Sequence, residues 1–476
     1  MTNEMDSVDE IVQRALTSAA IFSQLTQEHT DRIVRAVFEA GLGNRVRLAK
    51  MAFEETGMGR WEDKVIKNVV ATQLIYDEIK DQRTVGVISD DRVGGIIEIA
   101  QPIGPILAIT PVTNPTSTVM FKILIALKTR NPIIISPNRK AARSSIEAAR
   151  ICYEAALSQD APDDCIQWTE HSSREQTQGL MRHPKLALIL ATGGGGLVRE
   201  AYSSGTPALG VGAGNVPVLI EKSADVAFAV RQILASKTFD NGTICASEQA
   251  IVVEEPLSGA VMDEFTKNKA RFLSPAEIDA VGKVMFDPSK GTINPDVVGK
   301  PACFIAKLAG LEVPEDTSVL IARLEGVGEA YPLSAEKLSP VLAFYSSKNF
   351  DLAVNLCLEL NYFGGTGHTA SIYSNDDGKI ERFATMMNAG RVVVNTPSSQ
   401  GGVGGIYNTL ATSFTLGCGT AGKNITTDNI TARHLLNIQR IARRRVNEKF
   451  ANIDKSLYFD ENVGAGALEA AYYKNG

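Results

Sequence analysis

The sequence predicts an α/β protein of two doubly wound parallel-sheet domains, and three observations lead there. Short apolar runs alternate with segments of helical period, the alternation comes in two series that meet near residue 240, and segments rich in glycine, proline or threonine follow several runs. In an open parallel sheet such segments sit beyond the carboxyl ends of the strands, where ligands bind. At 476 residues the chain exceeds one compact core, so a cleft between domains is expected.

The first hundred residues read as helices. In WEDKVIKNVVATQLIYDEIK, Val65, Val69, Tyr76 and Ile79 fall on one face at helical spacing, and Val8, Ile11, Ala15 and Phe22 do so nearer the N-terminus. The first strand series is IGPILAIT (103–110), NPIIISP (131–137), CIQWTE (165–170), LALILAT (186–192) and VPVLIE (216–221). Helical stretches such as 117–129 and 223–237 lie between and after them. The second series is QAIVVEE (249–255), SVLIARL (318–324), PVLAFYS (340–346), HTASIYS (368–374) and RVVVNTP (391–397). Residues 447–476 look like an extension or arm.

Composition excludes several classes of function. A hydrophobic fraction of 44% and a charged fraction of 21% are those of a globular protein, and no apolar run reaches the roughly 20 residues a membrane helix needs. The net charge of −6 argues against a general nucleic-acid surface, and the basic run RIARRR (440–445) reads as the solvated end of a helix. The beginning, MTNEMDSVDEIVQ, is acidic where a secretory signal is basic and apolar, so a cytoplasmic protein with no membrane or nucleic-acid partner is expected. Six cysteines without CxxC or His/Cys spacing fit reduced thiols and give no metal site.

Six segments carry candidate chemistry. TPVTNPTS (110–117), SPN (136–138) and ATGGGG (191–196) each follow a predicted strand, with GVGAGN (210–215) farther on; none is a GxGxxG fingerprint, but together they suit a nucleotide. KTFDNGTICASEQ (237–249) places Cys245 at the seam between the series, among polar residues and a glycine. Spacing alone leaves Cys245 evenly between a nucleophile and a small buried hydrophobe. His368, in GTGHTAS, stands out among the five histidines, although a single histidine is more often structural.

Longer phrases carry a resemblance. EETGMGRWEDKVIKN (54–68), ITPVTNPTSTVMFKILIALKTRNPIIISP (109–137), LATGGGGLVREAYSSGTPALGVGAGN (190–215), SKTFDNGTICASEQ (236–249), EKLSPVLA (336–343), VNTPSSQGGVG (394–404) and LGCGTAGKN (416–424) occur in order. From about residue 5 to 445 the chain resembles the CoA-acylating aldehyde dehydrogenases, in particular the aldehyde dehydrogenase half of bifunctional aldehyde/alcohol dehydrogenases. The iron-dependent alcohol dehydrogenase half is expected to be absent.

The resemblance implies an aldehyde dehydrogenase-like architecture. Residues 1–240 would bind the dinucleotide, with the 93–104 hairpin contributing to an oligomerisation arm; 241–424 would carry the thiol, and 425–476 the arm and a C-terminal extension. It implies NAD or NADP as cofactor, CoA as cosubstrate, and a homodimer or homotetramer. Cys245 would be the nucleophile, Asn114 (or its neighbour Thr113) the oxyanion donor, and His368 a group that orients or deprotonates CoA. Thr110, Pro111, Ser136, Pro137, Gly193, Gly194, Gly212, Glu336 and Pro340 would line the cofactor site, and Arg139, Lys140 and Arg143 could meet a 2′-phosphate or simply be solvated.

One departure from the wider superfamily is informative. Hydrolytic members carry a water-activating glutamate in an LELGGK-type motif, and here the matching position is Gly210. The implied reaction turns an aldehyde into an acyl-CoA, with acetaldehyde the default substrate and sulfoacetaldehyde or succinate semialdehyde the alternatives. A hydrolytic enzyme, a relative transferring the acyl group to phosphate, and a silent scaffold docked through the N-terminal helix are the competing readings.

Overall fold

The computed structural model describes residues 7–170, 173–287 and 291–474. They form two compact units, one comprising the described residues up to Gln82 with Pro102–Leu436, the other Arg83–Gln101 with those from Asn437 onward.

The larger unit holds two parallel sheets. The first has five strands in the order Ile166–Trp168, Ile133–Ser136, Ile106–Ile109, Leu188–Thr192, Ala208–Val211. Strands Ile106–Ile109 and Ile133–Ser136 are buried at every residue, which explains why they read as unbroken apolar runs. The helix Pro115–Lys128, also buried throughout, connects them and lacks a polar face for the same reason. Strand order reverses between Ile106–Ile109 and Leu188–Thr192, so the crevice at their carboxyl ends is flanked by Thr110 and Gly193. Lys122 ties that edge together, its ammonium nitrogen donating to the carbonyls of Ile109 (2.7 Å) and Leu190 (2.8 Å).

The second sheet has seven strands in the order Arg271–Phe272, Leu320–Arg323, Val341–Ser347, Glu248–Glu254, Val216–Ile220, Gly367–Tyr373, Ala389–Val394. Strand Val216–Ile220 pairs with Glu248–Glu254 and Gly367–Tyr373. By sheet membership, therefore, the change-over between the two series lies between residues 211 and 216 rather than near 240. Only residues 212–215 join the carboxyl end of one sheet to the amino end of the other. Ala208–Val211 escapes sequence reading because LGVGAGN looks like a loop. Gly210 fits in that strand because the Tyr202 hydroxyl takes the place of a side chain, accepting from the Gly210 N–H (3.0 Å) and donating to its carbonyl (3.1 Å).

The N-terminal region is helical, as expected. Helix Val8–Phe22 buries Ile11, Val12, Ala15 and Phe22 in the cores around the five-stranded sheet, so its apolar face is satisfied within the chain and is not a free docking peptide. Helix Trp61–Val69 runs through a π turn, Val70–Leu74, into Ile75–Ile79. Its buried residues are Lys64, Lys67 and Asn68 rather than Val65 and Val69. Of the expected apolar face, Ile79 is buried and Tyr76 packs on the core, while Val65 and Val69 are only half-buried; the lysines take the inward positions here because of a buried carboxylate described below.

The smaller unit contains a three-stranded sheet in the order Gly86–Asp91, Ile96–Pro102, Leu436–Ala442, the first two forming an antiparallel hairpin. The basic run 440–445 ends a strand and continues beyond it, in place of the expected helix end. Arg440 Nε donates to Glu98 Oε1 (3.0 Å) and Arg445 Nη2 to the Arg92 carbonyl (2.7 Å).

Candidate active site

Three neighbouring strands of the seven-stranded sheet present their amino ends together. Cys245 precedes Glu248–Glu254, Gly214 precedes Val216–Ile220, and His368 is the second residue of Gly367–Tyr373. The Cys245 Sγ lies 3.2 Å from His368 Nε2. The other ring nitrogen, Nδ1, lies 2.9 Å from Thr369 Oγ1, which also accepts from Arg391 Nη1 (3.3 Å), so the imidazole is held at both edges. Cys245 is half-buried and His368 fully buried. Burial pushes the thiol up to about 12, with Glu336 adding to the rise, and pushes the imidazole down to about 3, with the Arg391 charge adding to the fall. The resting pair is thus a neutral thiol beside a neutral imidazole. Gly214 makes the close approach possible: a Cβ there would collide with the Cys245 carbonyl oxygen.

The loop before Cys245 is clamped from the other side. Asp240 and Asn241 both have positive φ (48° and 51°), a conformation that Asp and Asn tolerate best among side-chain-bearing residues. Asp240 is buried and accepts from Lys64 Nζ (2.9 Å), from Lys67 Nζ, from Thr243 Oγ1 (2.8 Å) and from the Arg60 N–H (2.7 Å). Lys67 Nζ also donates to Thr243 Oγ1 (2.8 Å) and to Asn114 Oδ1 (2.5 Å). Thr243 is two residues before Cys245, so one ammonium links the sequence-predicted Asn114 to the Cys245 loop. Asn114 Nδ2 donates to Thr113 Oγ1 (3.1 Å), placing the alternative candidate Thr113 in the same network.

The cofactor candidates fall into two groups. Thr110 and Pro111 follow Ile106–Ile109, Ser136 and Pro137 end or follow Ile133–Ser136, and Gly193 and Gly194 follow Leu188–Thr192, all at carboxyl ends of the five-stranded sheet. Among the described residues Thr110 Oγ1 is buried without a hydrogen-bond partner, Ser136 Oγ lies 3.1 Å from Thr177 Oγ1, and open space faces Gly194 and Gly212. Glu336 stands across the 212–215 link, its Oε1 accepting from the Gly214 N–H (2.9 Å); burial pushes its carboxyl up to about 7. Pro340 is buried just before strand Val341–Ser347, its carbonyl accepting from the Leu320 N–H (3.0 Å), which makes it a strand-pairing residue here. Lys140 and Arg143 are exposed around the start of helix Ala142–Leu157, whose first N–H groups donate to Glu55.

Residues 2–278 match the model of the aldehyde dehydrogenase family. The chain is 36% identical over 442 residues to the succinate-semialdehyde dehydrogenase (acetylating) of Clostridium kluyveri, covering 93% of this chain and 96% of that protein. The chain belongs to the aldehyde dehydrogenase family, among its acylating members. A crystal structure of an acetylating aldehyde dehydrogenase from Geobacillus thermoglucosidasius superposes with a TM-score of 0.90 at 45% identity, covering 92% of this chain and 97% of that one. The bifunctional aldehyde-alcohol dehydrogenase of Escherichia coli is 46% identical over 453 residues, covering 94% of this chain but 51% of that protein, so the chain spans about half of that relative's length.

In this chain the side of Gly210 is filled. A Cβ there would lie 2.8 Å from Val198 Cγ1 and 3.0 Å from the Tyr202 hydroxyl. Sequence reasoning missed Lys64, Lys67 and Asp240 on one side of Cys245, and Thr369 and Arg391 on the other. The available signal was the spacing of Lys64, Lys67 and Asn68, which puts three polar residues on one helix face. Thr369 and Arg391 are distant from Cys245 in sequence and carried no such mark.

Proposed function

We propose that the protein converts an aldehyde and CoA, with a nicotinamide dinucleotide, reversibly into an acyl-CoA through a thioester on Cys245. The observation that carries this reading is the 3.2 Å pairing of Cys245 Sγ with His368 Nε2 at the junction of the two sheets. The five-stranded-sheet region is assigned to the dinucleotide. Thr110, Ser136, Gly193, Gly194, Gly212 and Glu336 would hold it, a role that suits the orphaned Thr110 hydroxyl and the open space at the two glycines. When bound, the dinucleotide supplies the hydride acceptor.

The chain's own residues supply the rest. Cys245 adds to the carbonyl carbon as its thiol proton passes to the neutral His368 Nε2 beside it, and the Cys245 N–H and an Asn114 Nδ2 hydrogen hold the oxygen; one such donor contributes about 2.7–4 kcal/mol in the transition state. His368 holds the Cys245 sulfur and faces the CoA thiol that later takes the acyl group. With glycine at 210, the position where hydrolytic relatives carry the water-activating glutamate holds no carboxylate, which favours CoA over hydrolysis. Thioester is exchanged for thioester, so the transfer runs both ways.

Acetaldehyde is the substrate assigned. Arg391, whose charge acts on Cys245, donates to the His368, Gly417 and Thr427 carbonyls and to Thr369 Oγ1, an arrangement that suits a small neutral aldehyde better than an anionic one. Six free thiols accord with a reducing cytoplasm. A homodimer or homotetramer built through residues 83–101 and 437–476 accords with the exposure there of Val93 and Phe459, and sedimentation of the protein truncated after Leu436 tests it.

The reaction itself is tested by supplying acetaldehyde and NAD⁺ or NADP⁺, with and without CoA, and following absorbance of the reduced nicotinamide. Sustained turnover only with CoA is expected. Equal steady turnover without CoA refutes the acylating reading.

A further inference from the structure

We propose that Lys67 is a positioning residue: its ammonium grips the side-chain oxygen of Asn114 and thereby turns the Asn114 amide hydrogens toward the carbonyl under attack. The inference rests on Asn114 being the oxyanion donor, as proposed above.

Amide orientation is the first argument. An ammonium has donors and no acceptor, so the Asn114 atom 2.5 Å from Lys67 Nζ must be the oxygen, and the Asn114 nitrogen must face away. One Nδ2 hydrogen goes to Thr113 Oγ1, and the second has no partner among the described residues. A hydrogen so placed is what an oxyanion site requires.

The second argument is that Lys67 is itself immobilised. Its three hydrogens go to Asp240 Oδ2, Thr243 Oγ1 and Asn114 Oδ1, so the nitrogen cannot shift without breaking a bond. Because Asp240 and Thr243 belong to the loop that delivers Cys245, the same atom fixes the donor relative to the nucleophile.

A third argument comes from what Asn114 does not do. It occupies the N-cap of helix Pro115–Lys128, where an asparagine ordinarily accepts from a first-turn N–H, yet it makes no capping bond. Its oxygen is given to Lys67 instead. The helix carrying Lys67 likewise buries lysines where an amphipathic helix would bury apolar residues, at a desolvation cost that packing alone does not explain.

The charge on Lys67 gives a second handle. The groups facing it are Asp240, Lys64 and Asp63; burial pulls the ammonium down to about 8, Lys64 adding to the fall while Asp240 and Asp63 oppose it. As pH rises through that value one hydrogen of the three-way clamp is lost.

The experiment uses the full chain as wild type, K67M, N114A and the double variant. Methionine keeps most of the unbranched stem while removing the ammonium, and Lys64 still faces Asp240. The readout is the initial burst of reduced nicotinamide, alongside nucleotide affinity and the thermal midpoint. K67M is expected to slow the burst by about 10- to 100-fold with nucleotide affinity unchanged, the scale of a misaimed oxyanion donor. In the N114A background the same substitution is expected to cost less than about 2-fold, since non-additivity marks residues acting as one unit. An equal loss in both backgrounds overturns the proposal. If N114A alone is without effect, the oxyanion assignment fails, a result distinct from failure of the Lys67 role. Should K67M not fold, the pH profiles decide: the wild-type burst is expected to decline above about pH 8 and N114A to lack that decline, whereas the same decline in both overturns the proposal.

Discussion

Replacing Asp240 with asparagine tests the clamp behind Cys245 without disturbing shape or backbone. Asparagine is isosteric and tolerates the positive φ of 48°, so no conformational penalty confuses the result. What changes is charge: Lys64 and Lys67 both donate to Asp240 Oδ2, and all three side chains are buried. Asp240 Oδ1 accepts from the Arg60 N–H, so an amide must turn its NH2 toward that N–H or toward the lysines. Removing one partner of a buried ion pair typically costs about 3–5 kcal/mol. Lys67, already pulled down to about 8 with Asp240 present, is expected to lose its proton at neutral pH once the carboxylate is gone, and this relief places the expected loss nearer 3 kcal/mol. Urea unfolding followed by tryptophan fluorescence suits the measurement, because Trp61 begins the helix carrying both lysines. A shift corresponding to about 3 kcal/mol in the Trp61 transition is expected, together with impaired burst kinetics. A loss below about 1 kcal/mol would refute the argument that this carboxylate is what holds the lysines inward.

Further outcomes follow from the same geometry. C245A should abolish turnover while nucleotide affinity stays near wild type, measured by titrating nicotinamide fluorescence; retained turnover would remove Cys245 from the nucleophile role. G214A should reduce the burst about 100-fold, because its Cβ collides with the Cys245 carbonyl and displaces the thiol. G210E should destabilise the protein by about 1–3 kcal/mol rather than create a hydrolase outright, since Val198 and Tyr202 fill the space; product analysis for free acid and a thermal melt check both parts. Burial raises the Glu221 carboxyl, but hydrogen bonds from Lys379, Ser223 and Ser374 outweigh it and hold the group at about 2 against an ordinary 4.5. Its stabilisation is therefore complete above about pH 4.5 and lost as pH falls toward 2, by up to about 3 kcal/mol. E221Q should flatten the acid-side fall of the thermal midpoint.

The strands most legible in the sequence were those buried on both faces, such as Ile133–Ser136, because continuous β-branched runs have few other uses. Ala208–Val211 was illegible, since its glycine is accommodated by a tyrosine eight residues earlier that no local pattern reveals. Around Cys245, the motifs of the sequence mark His368 and Asn114 but not the side chains that hold them, Thr369, Arg391 and Lys67. Lys67 lies in a helix whose apolar spacing pointed the wrong way: the periodicity rule assumes that the inward face meets hydrocarbon, and here it meets Asp240. Arg391 acts on His368 across 23 residues through Thr369, a relation set by neighbouring strands.

The neutral pairing of Cys245 with His368 also bears on survival between turnovers. Peroxides and other oxidants attack thiolates, so a sulfur pushed up to about 12 and half-hidden offers them little. In the role proposed for Cys245, a sulfur kept protonated at rest would be less open to oxidative inactivation, with its reactivity confined to the moments when the site is filled.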